Sequence, residues 1–294
     1  MNKALRSPWT YALFLLPVIV LYILFFIYPM FAAFIKGFTN WNGVEAARFN
    51  GLNNFEKAIT DDKFWSAVKN NAYFILFSVV VQVPAIVFFS LLISNVKKLK
   101  GLYKTAVFVP SVMSTAVIGI LWSFIYEPDI GLFNLILMKL GLQPVMWLSD
   151  PNWAMFSILI TNAWQWTGFY IVMVLAAILS IPREIDEAAI VDGAGSFMRA
   201  TRITVPLITP IISVVIMLSI AGAMKAADIV IIMTRGGPGG ATDVMSTYMI
   251  KYGITNIKYG YGNAIAVLIF VFTLILTALY QLLIARRIER VEYS

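Results

Sequence analysis

Charged residues are missing from long stretches of this chain, and the stretches recur. Windows without Asp, Glu, Lys or Arg run Tyr11–Ile35, Asn70–Val96, Thr105–Tyr126, Pro151–Pro182, Ile203–Met224 and Tyr259–Ala285. A helix needs about 20 mainly apolar residues to cross about 30 Å of hydrocarbon, so each window is a candidate span. With polar margins trimmed, the pattern predicts membrane helices at 11–35, 72–94, 105–126, 154–179, 208–233 and 262–285. The first window is far longer than the apolar core of a signal peptide and lacks a small-residue cleavage site after it, so it is expected to stay as a spanning helix. Pro17, Pro29, Pro84 and Pro110 lie in or beside these windows and predict kinks more than breaks. No hydrophilic stretch is long enough for a separate soluble domain. The expected fold is all-α: one polytopic membrane domain, residues 1–294, with six spans. The loop 36–71 carries Trp41, Phe49, Phe55, Phe64 and Trp65 among balanced charges, and is read as a loop or short helix packing on the outer mouth.

Composition agrees: 60% of residues are hydrophobic and 13% charged, against roughly a quarter charged in soluble domains. Charge placement chooses a side. Lys97, Lys98, Lys100 and Lys104 crowd the turn between the second and third spans with no acid among them, and Lys3, Arg6, Arg183, Arg199, Arg202, Arg286, Arg287 and Arg290 fall on the same side. By the positive-inside rule this side is cytoplasmic, which puts both termini of this multi-pass membrane protein there. The net charge of +7 suits anionic lipid better than a nucleic-acid groove. With no Cys and no His, zinc enzymes, disulfide scaffolds and His-dependent triads are excluded, and no metal site is expected.

The segment 180–206 between the fourth and fifth spans holds helix-start and helix-stop signals in order. Ser180 can cap, Pro182 suits a first turn, and Glu184, Asp186 and Glu187 favour the positive end of the helix dipole. Gly193 or Gly195 can supply a left-handed C-terminal cap. A short helix over 182–192 follows, with Ile185, Ala188, Ala189 and Asp192 on one face. A second over 196–204 is expected to stop at Pro206. An amphipathic connector lying on the membrane surface would explain this spacing too.

The residue identities go further. Glu187-Ala188-Ala189, then Gly193, then Ile203 and Pro206, resembles the EAA signature of binding-protein-dependent ABC importer permeases, departing from it at Val205, where Leu is usual. The resemblance implies a cytoplasmic coupling helix seated in a separate ATPase. Glu187 would make the polar contact, Ala188 and Ala189 the close packing, and Gly193 the turn, with Asp192, Ile203 and Pro206 completing the coupling set. The chain has no phosphate-binding loop of its own, so ATP and Mg are expected on the partner ATPase, with no cofactor bound here and no enzymatic activity.

A glycine-rich run at 234–240, TRGGPGG, could be a flexible loop by itself. Followed by the aromatic segment Tyr248–Tyr252, it is similar to the carbohydrate-uptake, oligosaccharide branch of these permeases, as is the stretch 109–134 with Pro110, Gly119, Trp122, Pro128, Gly131 and Asn134. In maltose- and lactose-type relatives the sugar is held between the helix before the EAA loop and the helix before GGP. Counting back from the motifs, the resemblance implies a substrate site of Asn162, Gln165, Trp166 and Phe169 on one wall and Ser219, Gly222, Ala223 and Ala226 on the other. Amides and hydroxyls suit sugar OH groups, and aromatic faces suit C–H surfaces. The alternative reading of Trp164 and Trp166 is as lipid-interface anchors.

Lys225 and Asp228 are the charges inside a proposed span, and their i, i+3 spacing predicts an intramembrane ion pair that either fixes packing or lines the pathway. The implied assembly contains a homologous second permease, a cytoplasmic ATPase dimer, an extracytoplasmic solute-binding protein, sugar and membrane lipid, without nucleic acid. Two alternatives remain at this point: an importer of a polyol phosphate such as glycerol phosphate, and an ion-coupled secondary carrier using Asp228.

Overall fold

The computed structural model describes residues 8–96 and 98–282, so Lys3, Arg6, Lys97, Arg286, Arg287, Arg290 and the end of the 262–285 span lie outside the described residues. Every regular element among the described residues is helical, apart from one isolated bridge between Thr39 and Phe49. The chain divides into two compact units, one made of the described residues up to Asp62 with Tyr248–Phe270, the other of Lys63–Thr247 with the chain from Val271.

In the first unit, α1 (Pro8–Tyr22) passes through a π turn at Ile23–Ile27 into α2 (Tyr28–Gly37), and Tyr11–Gly37 reads as one apolar rod of 27 residues. Small residues then allow close backbone contact. A Cβ on Gly260 would stand 2.0 Å from the Thr39 carbonyl oxygen, and one on Gly253 would stand 2.4 Å from the Cα of Gly262. The short helix α3 (Asn53–Ile59) adds Asn54, whose buried amide donates to the carbonyls of Gly37 and Thr39. Tyr248 donates to Asp61 at 2.6 Å and shares a 2.8 Å bond with Tyr261. Burial, with the Asp61 carboxylate beside it, raises the Tyr248 phenol far above its ordinary range, so it stays a donor.

The second unit is organised by α9 (Pro151–Ser180), a 30-residue helix capped by the Asp150 carboxylate and begun by Pro151. Its first half joins a buried cluster with Trp122, Tyr126 and Ile229 through Ile158 and Leu159, and its second half joins Ile86 and Val215 through Ile171 and Leu175. Against it lies α4 (Asp62–Phe77), continued by a π turn at Ser78–Gln82 into α5 (Val83–Ser94), so this helix begins ten residues before the predicted span. α6 (Lys100–Val112) packs on α9 where residue 168 has no side chain: a Cβ there would lie 1.6 Å from the Val107 carbonyl oxygen.

Prolines leave a consistent mark. Pro29, Pro84 and Pro206 each stand at the second position after a π turn, and the residue four before each one (Phe25, Val80, Arg202) is the middle of that turn. A proline ring collides with the carbonyl at i−4 and cannot bond it; the wider turn moves that carbonyl aside and the helix continues. Pro206 therefore does not stop its helix as predicted. It lies inside α12 (Val205–Leu207), and the chain bends 66° only at Ile208.

Two predicted spans are broken. Residues 105–126 form α6 and then α7 (Thr115–Ile125), which meet at 98° across an extended Met113. Residues 208–233 form α13 (Thr209–Met224) and α14 (Ala227–Met233), separated at Lys225 and Ala226. By length and composition four helices among the described residues can cross a membrane, or up to six if the bent pairs Lys100–Val112 with Thr115–Ile125 and Ser196–Leu207 with Thr209–Met224 each count as one span.

Candidate functional site

The α13–α14 break shapes the site, and α4 holds the break in place. Where a helix would pair the Ala223 carbonyl with the amide of residue 227, that amide turns back to Lys225 at 2.7 Å. The carbonyl freed at Ala223 accepts from the Asn71 side chain at 2.7 Å, and that of Met224 accepts from Ser246 at 2.9 Å. The other end of Asn71 accepts from the backbone of Met245 at 2.8 Å, which begins the short helix α15 (Met245–Met249). Its neighbour Asn70 donates to the carbonyls of Ala241 and Asp243 in the glycine-rich loop. That loop needs its glycine at 236, with φ at +82° and no room for a Cβ against Asp243.

Beside the break lies a cavity of about 240 Å³, lined from α9 by Asn162, Trp166 and Tyr170 and from α13 and the break by Ser219, Gly222, Ala223, Lys225 and Ala226. Asp228 and Ile229 follow from α14, Thr115 from α7, and Ser78 and Gln82 from the π turn after α4. Of the residues expected at a substrate site, Asn162, Trp166, Ser219, Gly222, Ala223 and Ala226 meet here. Gln165 and Phe169 do not.

The reason is helical phase. Asn162, Trp166 and Tyr170 fall at i, i+4 and i+8 on one stripe of α9, and Tyr170 was missed although that spacing points to it. Gln165 faces the other way: it is buried, and its amide donates to the Met113 carbonyl and to Thr115 at the α6–α7 break. Phe169 stays partly exposed and meets Tyr170 edge-on. Trp166 lines the cavity and Trp164 packs on Trp122 with ring centroids 5.4 Å apart, while both remain exposed.

The expected Lys225–Asp228 ion pair is absent. Arg199 and Asp186, in contrast, pair at 3.2 Å. A continuous helix would stack positions i and i+3, but the break at Ala226 (φ −72°, ψ 43°) removes that register, and both charges instead line the cavity.

A second constellation lies between α9 and α13. α10 (Arg183–Val191) begins after Pro182, while Ser180, predicted as a cap, bonds backward to Ala177. Gly193 takes φ +81°, its amide returns to Ile190 and that of Ala194 to Ala189, so Gly193 is the left-handed cap and Gly195 starts the next helix. That helix runs from α11 (Ser196–Arg199) through a π turn at Ala200–Thr204 to α12, and the Arg199–Asp186 bridge ties it to α10. Glu187, Ala188, Asp192 and Gly193 are exposed, with Val191 and Phe197 more than four-fifths exposed beside them. Ala189 is buried within the chain and Ile203 half-buried, so of the two alanines only Ala188 is offered outward.

Residues 59–289 match the family model described as the binding-protein-dependent transport system inner membrane component. The chain belongs to this family. It is the membrane permease component of such a system, a transport subunit and not an enzyme. The permease is 33% identical over 270 residues to the probable ABC transporter permease protein YurN of Bacillus subtilis, covering 90% of this chain and 92% of that one. It is likewise 33% identical to the trehalose/maltose transport system permease protein MalF of Thermococcus litoralis, covering 91% of each. Among solved structures it resembles a bacterial ABC transporter involved in import of the acidic polysaccharide alginate, with a TM-score of 0.84, 26% identity and coverage of 97% and 98% of the two chains. With its long apolar helices, the permease is a multi-pass inner-membrane protein.

Proposed function

We propose that this permease forms half of the pathway of an ATP-driven sugar importer, with an oligosaccharide as cargo. The observation that carries the reading is the cavity beside the broken helix, where an amide, hydroxyls and aromatic faces converge: Asn162, Ser219, Tyr170 and Trp166 suit a polyhydroxylated ring. Relatives named for trehalose/maltose, arabinooligosaccharide and lactose transport support it. Counting each bent pair as one span gives six, with both termini and the α10 loop in the cytoplasm and the whole chain acting as one membrane domain.

In this arrangement α10 is the coupling helix. Glu187, Ala188, Asp192 and Gly193 meet a cytoplasmic ATPase dimer that binds ATP and Mg, Ala189 seats α10 on its own chain, and Ile203 and Pro206 carry the motion into α13. A homologous second permease completes the pathway. An extracytoplasmic binding protein delivers cargo; the alginate transporter has been solved with an oligosaccharide-bound periplasmic protein. Glycerol phosphate fits less well, because Asp228 shares the cavity with Lys225 and opposes an anion.

Solubilised complexes from the native host test this. Wild type is expected to bring down an ATPase and a second permease and, in proteoliposomes with the binding protein, to drive ATP-dependent uptake of a neutral oligosaccharide. Glu187→Arg and Gly193→Asp are expected to lose the ATPase while the second permease stays. A lone chain that accumulates solute on an ion gradient without an ATPase would overturn the reading in favour of a secondary carrier working through Asp228.

A further inference from the structure

The cavity holds two opposite charges that do not neutralise one another. Lys225 and Asp228 both line it as exposed residues, and the side chain of neither makes an ion pair or hydrogen bond with another described residue. The Asn162 side chain is equally unengaged, and the buried Ser219 hydroxyl has only the Tyr170 phenol beside it. The site was built with more polar capacity than its own side chains use. Its formal charge sums to zero, so it offers no net attraction to an ion of either sign.

A neutral sugar ring satisfies such a set fully. Its hydroxyls accept from the Lys225 ammonium and donate to the Asp228 carboxylate, both charge-assisted bonds, while the remaining hydroxyls reach Asn162 and Ser219. An acidic ring offers a carboxylate to Lys225 but meets the like-charged Asp228 carboxylate in the wall of the same cavity, where the two repel. The volume of about 240 Å³ falls below the roughly 300–1,000 Å³ of pockets for drug-sized ligands, which suits about one ring at a time with both charges in the wall around it.

We propose that Lys225 and Asp228 act as two charge-assisted hydroxyl clamps that make this cavity select neutral sugar rings over acidic ones. The proposal rests on the sugar-importer reading and adds the cargo's charge class. It sets this permease apart from the structurally similar transporter whose cargo is the acidic polysaccharide alginate.

The test is titration of the purified complex in nanodiscs, without the binding protein so that its preference does not intervene. The probes are maltotriose and trigalacturonic acid, read by the fluorescence of Trp166 in the cavity wall, with Trp166→Phe identifying the signal. Wild type is expected to bind the neutral probe at least about tenfold more tightly. Asp228→Asn should narrow that ratio by tightening the acidic probe, Lys225→Met should widen it, and Asp228→Glu should keep it. Opposite movements of the ratio are what a packing role would not produce. If both charge-removing variants weaken the two probes equally, or if wild type prefers trigalacturonic acid, the clamp is overturned while the sugar reading stands. If wild type binds neither probe, the sugar reading fails and the clamp fails with it.

Discussion

Two helix breaks border the cavity, and they arise differently. At Met113, Pro110 stands three residues earlier and Ser114 caps the next helix by accepting from Ala116, so the turn is written locally. At Lys225 and Ala226 the sequence Met-Lys-Ala-Ala consists of good helix formers, no proline stands as near as Pro110 does to Met113, and the nearest glycine, Gly222, leaves the helix unbroken for two more residues. That break exists because Asn71 and Ser246, distant in sequence, take the carbonyls that the helix would have used. A break made by local residues mainly redirects a chain; one made by distant side chains ties three segments together and opens a cavity at the joint.

The comparison can be tested in order of expected effect. Gly168→Leu should be the most damaging change, since even a Cβ would lie 1.6 Å from the Val107 carbonyl oxygen and α6 would have to leave α9. A loss beyond about 3 kcal/mol is expected, seen as aggregation on size exclusion and a lower Tm in detergent; an unchanged Tm would refute that packing. Asn71→Leu should cost roughly 3 kcal/mol, because it strands a buried carbonyl at Ala223 and a buried amide at Met245. Hydrogen exchange at Lys225–Ala227 should then change as the two helices fuse or fray. If exchange there matched wild type, Asn71 would not be what holds the break.

Smaller effects belong to the local break. Gln165→Leu removes two long bonds of 3.3 and 3.2 Å but also a buried oxygen without a partner, so about 1 kcal/mol or less is expected in the same melting assay. Ser114→Ala should cost roughly 0.5–1 kcal/mol through its cap. Should Gln165→Leu destabilise more than Asn71→Leu, the contrast between the two breaks would be reversed.

Much of the candidate site was legible because its signals are local. The α10 turn could be read from Gly193, whose positive φ a side chain resists, whereas Asn162 and Trp166 were pointed to by resemblance to maltose-type permeases and share one stripe of α9. What misled was phase and continuity. Gln165 and Phe169 fall off the stripe by one residue each, which rotates a side chain by about 100°. Lys225 and Asp228 were paired by a helical register that the break abolishes.

By itself the sequence determined that the chain is helical and lies in a membrane, since charge-free windows of that length have no better solvent, and it marked the α10 loop through residues whose backbone demands are intrinsic. Tertiary structure decided where the helices break, which way α9 turns its polar residues, and that Lys225 and Asp228 face a shared cavity instead of each other. Those outcomes depend on which distant side chain reaches a freed carbonyl, and only packing brings Asn71 to Ala223.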